Sequence, residues 1–144
     1  MLFRSQHRLR LRDTRISDAM LRDKLPALSQ LEHLDLARTR ISNEGMAGLA
    51  RLTALRSLDI SYSEVDDAGL ARLAGLRHME SIILDSTHVS DAALPTLTAW
   101  LKLAEVNLYH SLVSEAGAAA LRKAFPGARV IWDKEAALPH RRRA

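Results

Sequence analysis

The chain contains no cysteine, which excludes disulfide bonds and thiolate metal sites. Disulfide frameworks are common in small secreted domains, so their absence favours a reducing compartment. The sequence also lacks any run of about 18 apolar residues, the length that a helix needs to cross a bilayer. Its first twelve residues, MLFRSQHRLRLR, contain no apolar stretch long enough for a signal peptide. These absences predict a cytoplasmic protein that does not associate with a membrane.

Aromatic residues are scarce as well, at 4% of the 144 residues, whereas apolar residues as a whole make up 47%. The core must therefore consist mainly of aliphatic side chains, which suits stacked layers of similar size. The 21 basic residues exceed the 17 acidic ones by four, and much of the surplus lies at the two ends, in residues 4–15 and 140–143. A small surplus in such places is typical of a solvated surface.

The most informative feature of the sequence is an internal repeat. Residues 31–54, LEHLDLARTRISNEGMAGLARLTA, are followed by LRSLDISYSEVDDAGLARLAGLRH, and each segment is 24 residues long. Starting points at 31, 55, 79, 103 and 127 keep this step. An earlier repeat, beginning near Gln6, carries one extra residue in its predicted helix. A fixed period in the twenties predicts a solenoid, in which one strand-and-helix unit stacks on the next.

Each repeat carries the same local signals. Two apolar residues one apart, such as Leu34 and Leu36, predict a short strand with one face toward the core. A hydroxyl residue follows, where we expect a buried bond to backbone groups of adjacent turns. A helix-capping residue comes next, then in most repeats an acidic residue that complements the helix dipole. The hydroxyl residues are Thr39, Ser63, Thr87 and Ser111, and the caps are Ser17, Ser42, Asp66, Ser90 and Ser114.

A small residue lies three positions after most of these caps. It is glycine at positions 45, 69 and 117 and alanine at position 93. We interpret its size as room for the close approach of neighbouring repeats. The full pattern, L-x-x-L-x-L-x-x-(Thr/Ser)-x-(Ile/Val), resembles the leucine-rich repeat family over residues 6–132, with Thr or Ser where that family has Asn.

The resemblance implies an α/β fold, a right-handed β-α superhelix with a parallel sheet on the concave face and helices on the convex face. We expect an N-terminal extension at residues 1–5, then five repeats and a sixth strand at 6–132, and a flexible basic tail at 133–144. The sixth strand would form an open edge, which can mediate self-association.

The concave face is the predicted functional surface. Equivalent residues form ladders across the sheet, and the resulting face is polar, basic in the first repeat and acidic in the middle. The resemblance implies a non-enzymatic protein–protein interaction module that binds a partner through this face. Tyr and Arg are favoured anchors in such surfaces. The candidate partner-binding residues are Asp35, Arg38, Asp59, Tyr62, Asp85, Asn107, Tyr109 and His110.

Catalysis is a weaker interpretation of the same face. Ser86, His110 and Asp85 supply the residue types of a hydrolase triad, but the sequence shows no strained nucleophile turn and no oxyanion hole. His88 and His110 lack the spacing of metal ligands. We therefore predict no catalytic residue, no metal site and no cofactor.

Two further functions remain as alternatives. The 24-residue form is similar to bacterial arrays and to F-box-type leucine-rich proteins, which implies substrate recognition in a ubiquitin-ligase-type or effector system. No F-box segment occurs in the first thirty residues. The basic first repeat suggests weak nucleic-acid binding, although aromatic residues do not interleave with its arginines. The identity of a protein partner stays open.

Overall fold

The structure is a computed structural model that describes residues 7–134. These residues form a parallel sheet of six strands in the order β1-β2-β3-β4-β5-β6, with short helices between them. The predicted extension at 1–5 lies outside the described residues, and so does the part of the predicted tail (133–144) that follows residue 134. The strands are β1 Arg8–Arg10, β2 His33–Asp35, β3 Ser57–Asp59, β4 Ser81–Ile83, β5 Glu105–Asn107 and β6 Arg129–Ile131.

The helices are short because each repeat must hold a strand, two turns and a helix in 24 residues. Three of them adjoin a single 3-10 turn, which lies at Leu25–Ala27, Asn43–Gly45 or Asp91–Ala93. The longest helix has 10 residues. The helices are α1 Asp18–Lys24, α2 Met46–Leu49, α3 Asp67–Ala71, α4 Leu94–Ala99 and α5 Glu115–Ala124.

The strand register confirms the repeat spacing. Asp35 pairs with Asp59 and Asp59 with Ile83, in steps of 24, whereas Arg10 pairs with Asp35 across a step of 25 because of the longer first repeat. In β2 to β5 the middle residue is buried and its two neighbours are half-buried. One face of the sheet therefore lies against the core and the other is open.

The core is one continuous cluster between the sheet and the helices. It contains the middle residues of the strands and the apolar stripe of each helix, as the helical spacing predicted. Trp100 is the largest fully buried side chain, and its indole N–H donates to the carbonyl oxygen of Leu73 at 3.0 Å. This bond satisfies a buried polar group and links two repeats.

The turn hydroxyls of Thr39 and Ser63 donate to carbonyl oxygens of their own repeats, whereas we expected bonds to adjacent turns. Thr39 donates to the carbonyl oxygen of Leu36 at 2.7 Å, and Ser63 donates to that of Ile60 at 2.7 Å. Each of these bonds spans three residues, because the short hydroxyl side chains reach only that far. The oxygen of Ser63 also accepts the amide of Val65 at 3.4 Å.

The helix starts join consecutive repeats. The side chains of four caps accept an amide hydrogen bond from their own helix, as predicted (Ser17, Asp66, Ser90 and Ser114). Ser42 departs from the prediction, because its side chain makes no capping bond. Its hydroxyl instead donates to Asp18 of the preceding repeat at 2.6 Å, and its amide donates to the other oxygen of Asp18 at 2.8 Å.

Asp67 and Asp91 hold the next cap in the same way. Asp67 accepts the amide and the hydroxyl of Ser90, and Asp91 accepts those of Ser114. We predicted that these carboxylates complement their own helix dipole. In the structure their oxygen atoms also bind the following repeat, and this contact is the stronger constraint because it is a charge-assisted hydrogen bond.

One pair has its donor and acceptor reversed. Asn43 lies at the position of Asp18 and Asp67, and the cap that follows it is Asp66. The amide nitrogen of Asn43 donates to Asp66 Oδ1 at 2.7 Å, and the backbone amide of Asp66 donates to Asn43 Oδ1 at 3.0 Å. The bond from Asn43 lowers the pKa of Asp66, and two helix amides contribute in the same direction. We name the four pairs Asp18–Ser42, Asn43–Asp66, Asp67–Ser90 and Asp91–Ser114 the cap pairs.

The cap pairs explain the small residues after the caps. A Cβ atom on Gly45 would lie 2.5 Å from Asp18 Oδ1, closer than real Cβ contacts allow. Gly69 and Gly117 would meet the side-chain oxygens of Asn43 and Asp91 in the same way. The predicted close approach of neighbouring repeats is therefore confirmed at these glycines.

The sheet has an open edge within the described residues. There, β6 pairs with β5 on one side and with no strand on the other. Trp132 links the segment after β6 to the preceding repeat, because its indole N–H donates to the carbonyl oxygen of Val113 at 2.8 Å. Self-association through this edge stays a prediction. No helix within residues 7–134 is both long enough and apolar enough to cross a membrane.

Candidate binding face of the sheet

The open sheet face is the surface of the sheet opposite the core. We define it as the four ladders that begin at Arg8, Arg10, Arg12 and Asp13 and continue through the equivalent residues of later repeats. The first two follow the strand register. Backbone bonds such as Asp13 N to Ala37 O, at 3.0 Å, continue the alignment past the strands. All eight candidate residues lie on this face, at the ladder positions that the repeat spacing predicts.

Arg12 holds two of the predicted carboxylates. Its Nε donates to Asp35 at 3.0 Å and its Nη2 donates to Asp59 at 3.1 Å. The pKa of the guanidinium is raised, chiefly by its hydrogen bond to Asp35. The remaining oxygens accept backbone amides, that of Ala37 for Asp35 and that of Ser61 for Asp59, each at 3.0 Å. Asp35 and Asp59 are thus bound within the molecule, and Arg12 was not among the predicted site residues.

Asp85 is also satisfied internally. It accepts the hydroxyl of Ser86 at 2.8 Å, and Nδ1 of His110 lies 3.4 Å from the same oxygen. A hydrolase triad needs the histidine between the hydroxyl and the carboxylate. Here both groups approach the carboxylate, so the serine hydroxyl is not bonded to the histidine. The three side chains do not form a proton relay.

The two tyrosines are exposed, as the sequence predicted. The exposed fraction is 48% for Tyr62 and 38% for Tyr109. The guanidinium carbon of Arg38 lies 5.1 Å from the centre of the Tyr62 ring, within cation–π range. The ring of Tyr109 lies 4.0 Å from that of His110, with the two planes tilted by 58°. Each phenol ring therefore contacts the side chain of a neighbouring residue on this face.

The fourth ladder has an unusual backbone. Asp13, Arg38, Tyr62, Ser86 and His110 all adopt left-handed φ values between 56° and 61°, and none of them is glycine. A side chain in this region is strained, at roughly 1 kcal/mol per residue. Hydrogen bonds to the next repeat offset the strain, as in the bond from Tyr62 N to Asp85 O at 3.0 Å. The strained positions thus include Arg38 and Tyr62, two of the candidate residues on the fourth ladder.

A shallow depression of about 250 Å³ lies across the first four strands. On its floor, Nδ1 of His33 lies 2.7 Å from the hydroxyl oxygen of Ser57. Burial lowers the pKa of His33, and the positive charge of Arg8 lowers it further. The depression, here named the trough, is lined by Arg8, Leu9, Arg10, His33, Leu34, Asp35, Ser57, Leu58, Asp59, Ser81 and Ile83. The repeat spacing predicts His33 and Ser57 as neighbours on one ladder, and the register confirms it; their side-chain hydrogen bond was not predicted.

The charges of this face are unequally satisfied. The carboxylates of Asp35, Asp59 and Asp85 are paired as described above. Glu105 accepts the hydroxyl of Ser81 at 3.2 Å and lies 3.8 Å from Arg129. Within residues 7–134, Arg8 and Arg10 make no side-chain hydrogen bond and no ion pair. The acidic part of the predicted charge gradient is thus paired, whereas in the basic part Arg12 is paired and Arg8 and Arg10 have no such partner within residues 7–134.

The face contains no obvious metal site. Within residues 7–134, no group of three or more His, Cys, Asp or Glu side chains is arranged to hold a metal ion.

Comparison with known proteins agrees with this architecture. The model of the Leucine Rich repeat family matches residues 28–50 and 52–74, so these two segments are leucine-rich repeats, as the resemblance implied. No protein of curated function matches the chain in sequence.

The solved structures support the same class of fold. The crystal structure of an internalin (inlF) from Listeria monocytogenes str. 4b F2365 is similar to this chain, with a TM-score of 0.63 and 16% sequence identity. The similarity covers 87% of this chain and 40% of the internalin chain, so this chain spans less than half the length of that protein. The fold is an α/β leucine-rich repeat solenoid, as predicted.

Proposed function

We propose that this chain is a non-enzymatic protein-interaction module that binds a partner protein through the open sheet face. The observation that carries the proposal is the exposure of Tyr62 and Tyr109 on this face, each ring held by a charged or aromatic neighbour. Tyrosine and arginine are the side chains most enriched at the energetic centres of protein interfaces. A ring that is already held loses less conformational entropy on binding.

The eight candidate residues would divide into two groups. Arg38, Tyr62, Tyr109 and His110 would contact the partner, since the tyrosines and Arg38 are exposed and the tilted ring of His110 lies against that of Tyr109. The other four would hold the surface in shape, because their oxygens already accept bonds within the molecule. Asn107, for example, accepts the amide of Tyr109 at 3.0 Å. The supporting group is Asp35, Asp59, Asp85 and Asn107.

The proposal is tested by affinity capture of partner proteins on the immobilised chain. The variant Tyr62→Ala/Tyr109→Ala should lose specific partners, because each truncation removes about 2 kcal/mol of binding energy, or about 30-fold in affinity. Leu101→Ala is the matched control, since Leu101 is 83% exposed and lies in the turn after α4. Capture of the same partners by both variants would exclude the open sheet face as the binding surface.

A further inference from the structure

We propose that the trough binds an extended peptide segment that carries an acidic side chain and, four residues away, an apolar side chain. This inference rests on the proposed function and names the chemistry of the partner. It follows from which groups of the trough are already satisfied and which are not.

The acidic side chain would bind between Arg8 and Arg10. The two arginines are two residues apart on β1, so their side chains leave the strand on the same face, about 7 Å apart at the backbone. Both are exposed, and neither has a hydrogen-bonding or ion-pairing partner within the described residues. Guanidinium groups bind carboxylates through short, charge-assisted hydrogen bonds. An anionic side chain is therefore the ligand that this end of the trough lacks.

The carboxylates inside the trough do not fill that role. Asp35 lies directly beside Arg10 in the register, but its side chain bonds to Arg12. Asp59, one strand further, bonds to the same guanidinium. Arg12 thus compensates one of the two negative charges in the middle of the trough, and its bonds occupy the carboxylates nearest to Arg10. Arg8 and Arg10 keep no ion-pair partner among residues 7–134. The lowered pKa of His33, to which Arg8 contributes, is consistent with their positive charge.

Ile83 would receive the apolar side chain. It is half-buried and lies on the same ladder as Arg10, three strands away, between Asp59 and Asn107. Three strand spacings amount to about 14 Å, and an extended chain advances about 3.3 Å per residue. A peptide that crosses the strands would therefore place side chains at Arg10 and Ile83 when they are about four residues apart.

A peptide fits these observations better than a nucleic acid does. Binding to a phosphate backbone needs several cationic contacts in a row, and the trough offers only two arginines that have no ion-pair partner among residues 7–134. The next residues on the ladder, Asp35 and Asp59, carry carboxylates close to the path of the backbone. Base stacking also needs aromatic rings among the cations, and neither tyrosine of the open sheet face lines the trough, since Tyr62 follows β3 and Tyr109 follows β5.

The first experiment is a selection of short random peptides on the immobilised full chain. We expect enriched sequences to share Asp or Glu and, four positions away, Leu, Ile, Val or Phe. The second uses a labelled peptide with Glu and Leu at that spacing in a Gly-Ser background, followed by fluorescence anisotropy. Replacing its Glu by Gln should weaken binding about tenfold, the usual effect of one charge-assisted bond.

Variants of the chain locate the contact. The variant Arg8→Ala/Arg10→Ala should bind the Glu peptide about tenfold more weakly. The control variant Arg51→Ala/Arg72→Ala should bind it with unchanged affinity, since those arginines are exposed on the helical side. Arg10→Glu should restore binding to a peptide that carries Lys in place of Glu. This reversal of charge cannot arise from misfolding.

The outcomes separate the inference from the proposed function. Equal binding of the Glu and Gln peptides, or selected sequences without the spacing, would overturn the inference. If Tyr62→Ala still weakened the binding of the selected peptides, the proposed function would be retained without the inference about the trough. If substitutions on both sides of the molecule weakened them equally, the proposed function would fail too. Tighter binding of a single-stranded oligonucleotide than of the peptide, lost in Arg8→Ala/Arg10→Ala, would replace the peptide with a nucleic acid.

Discussion

Ile82 and Ile83 are neighbours on β4 with identical side chains and opposite environments. Ile82 is fully buried in the core, whereas Ile83 is half-buried on the open sheet face. The difference arises from the two-residue period of a strand, which sends successive side chains to opposite faces. Single residues in this fold therefore take their role from their position in the repeat more than from their chemical type.

This pair provides a direct test at the residue scale. Ile82→Asp should lower the free energy of unfolding by about 4 kcal/mol or more, because it removes a core side chain and buries an unpaired charge. Ile83→Asp should cost only about 1–2 kcal/mol, because its carboxylate lies beside Asp59 but stays in contact with water. Urea denaturation followed by circular dichroism measures both. Similar losses in the two variants would contradict the assignment of the two faces.

The candidate site could be predicted at this scale only in part. The positions of Tyr62 and Tyr109 followed from the sequence, since the repeat spacing determines which residues share a face. The pairing of Asp35 and Asp59 did not follow. Both bond to Arg12, which is 23 and 47 residues earlier in the chain, and the reach of a flexible side chain leaves no periodic signal.

The helix starts of consecutive repeats are joined by side-chain hydrogen bonds. In three of the cap pairs a carboxylate of one repeat accepts from a serine of the next, and in the fourth Asn43 donates to Asp66. A carboxylate never faces a carboxylate in these pairs. Complementary donors and acceptors thus define which helix start can follow which.

At this scale we predict that Asn43→Asp destabilises the protein by about 1–3 kcal/mol, because two carboxylates would meet at hydrogen-bonding distance. Adding Asp66→Ser should restore most of the loss, since it recreates the arrangement of Asp18 and Ser42. Thermal or urea unfolding of both single variants and the double variant gives the coupling energy.

The pH dependence provides the control for this cycle. Acidification below about pH 4 should shrink the penalty of Asn43→Asp, because one of the facing carboxyls then becomes neutral. In the unsubstituted protein, acidification through this range should instead lower the stability. The lowered pKa of Asp66 contributes stability above about pH 4, and this contribution is lost as the pH falls through the folded-state pKa. A penalty that does not change with pH would rule out charge repulsion as its cause.

The molecule as a whole is a linear array in which each repeat contacts its neighbours. Its core is continuous from Leu21 to Leu121, yet each layer is built from the same few positions. In such an array stability is close to a sum of repeat terms and interface terms. We therefore expect that a complete repeat can be removed without a change of fold, provided that the new interface matches.

Two deletions of equal length test this at the molecular scale. Removal of residues 43–66 leaves Ser42 to pair with Asp18, whereas removal of residues 42–65 places Asp66 against Asp18. The shortened chains differ at one position. Both should keep the fold. The slope of the free energy of unfolding against urea concentration should be lower by roughly a fifth, since less surface is exposed when the shorter chain unfolds. The chain that retains Asp66 should be less stable by about 1–2 kcal/mol.

The unfolding transitions of the two shortened chains, followed by the fluorescence of buried Trp100, measure this difference. Equal midpoints would mean that the cap pairs do not govern which repeats can be neighbours. Loss of cooperative unfolding in both chains would contradict the description of the repeats as separable units.

The sequence by itself determined the period, the strand and helix positions and the two faces of the sheet. These follow from backbone geometry and from apolar spacing, which are local and recur in every repeat. Only the tertiary structure decided which charges on the open sheet face are bound and which are free. Ser42 bonds to Asp18 rather than to its own helix, and Asp35 bonds to Arg12 rather than to Arg10, its neighbour in the register, because each polar side chain selects the nearest donor or acceptor in the folded stack. That selection depends on distances between repeats, which a sequence pattern does not contain.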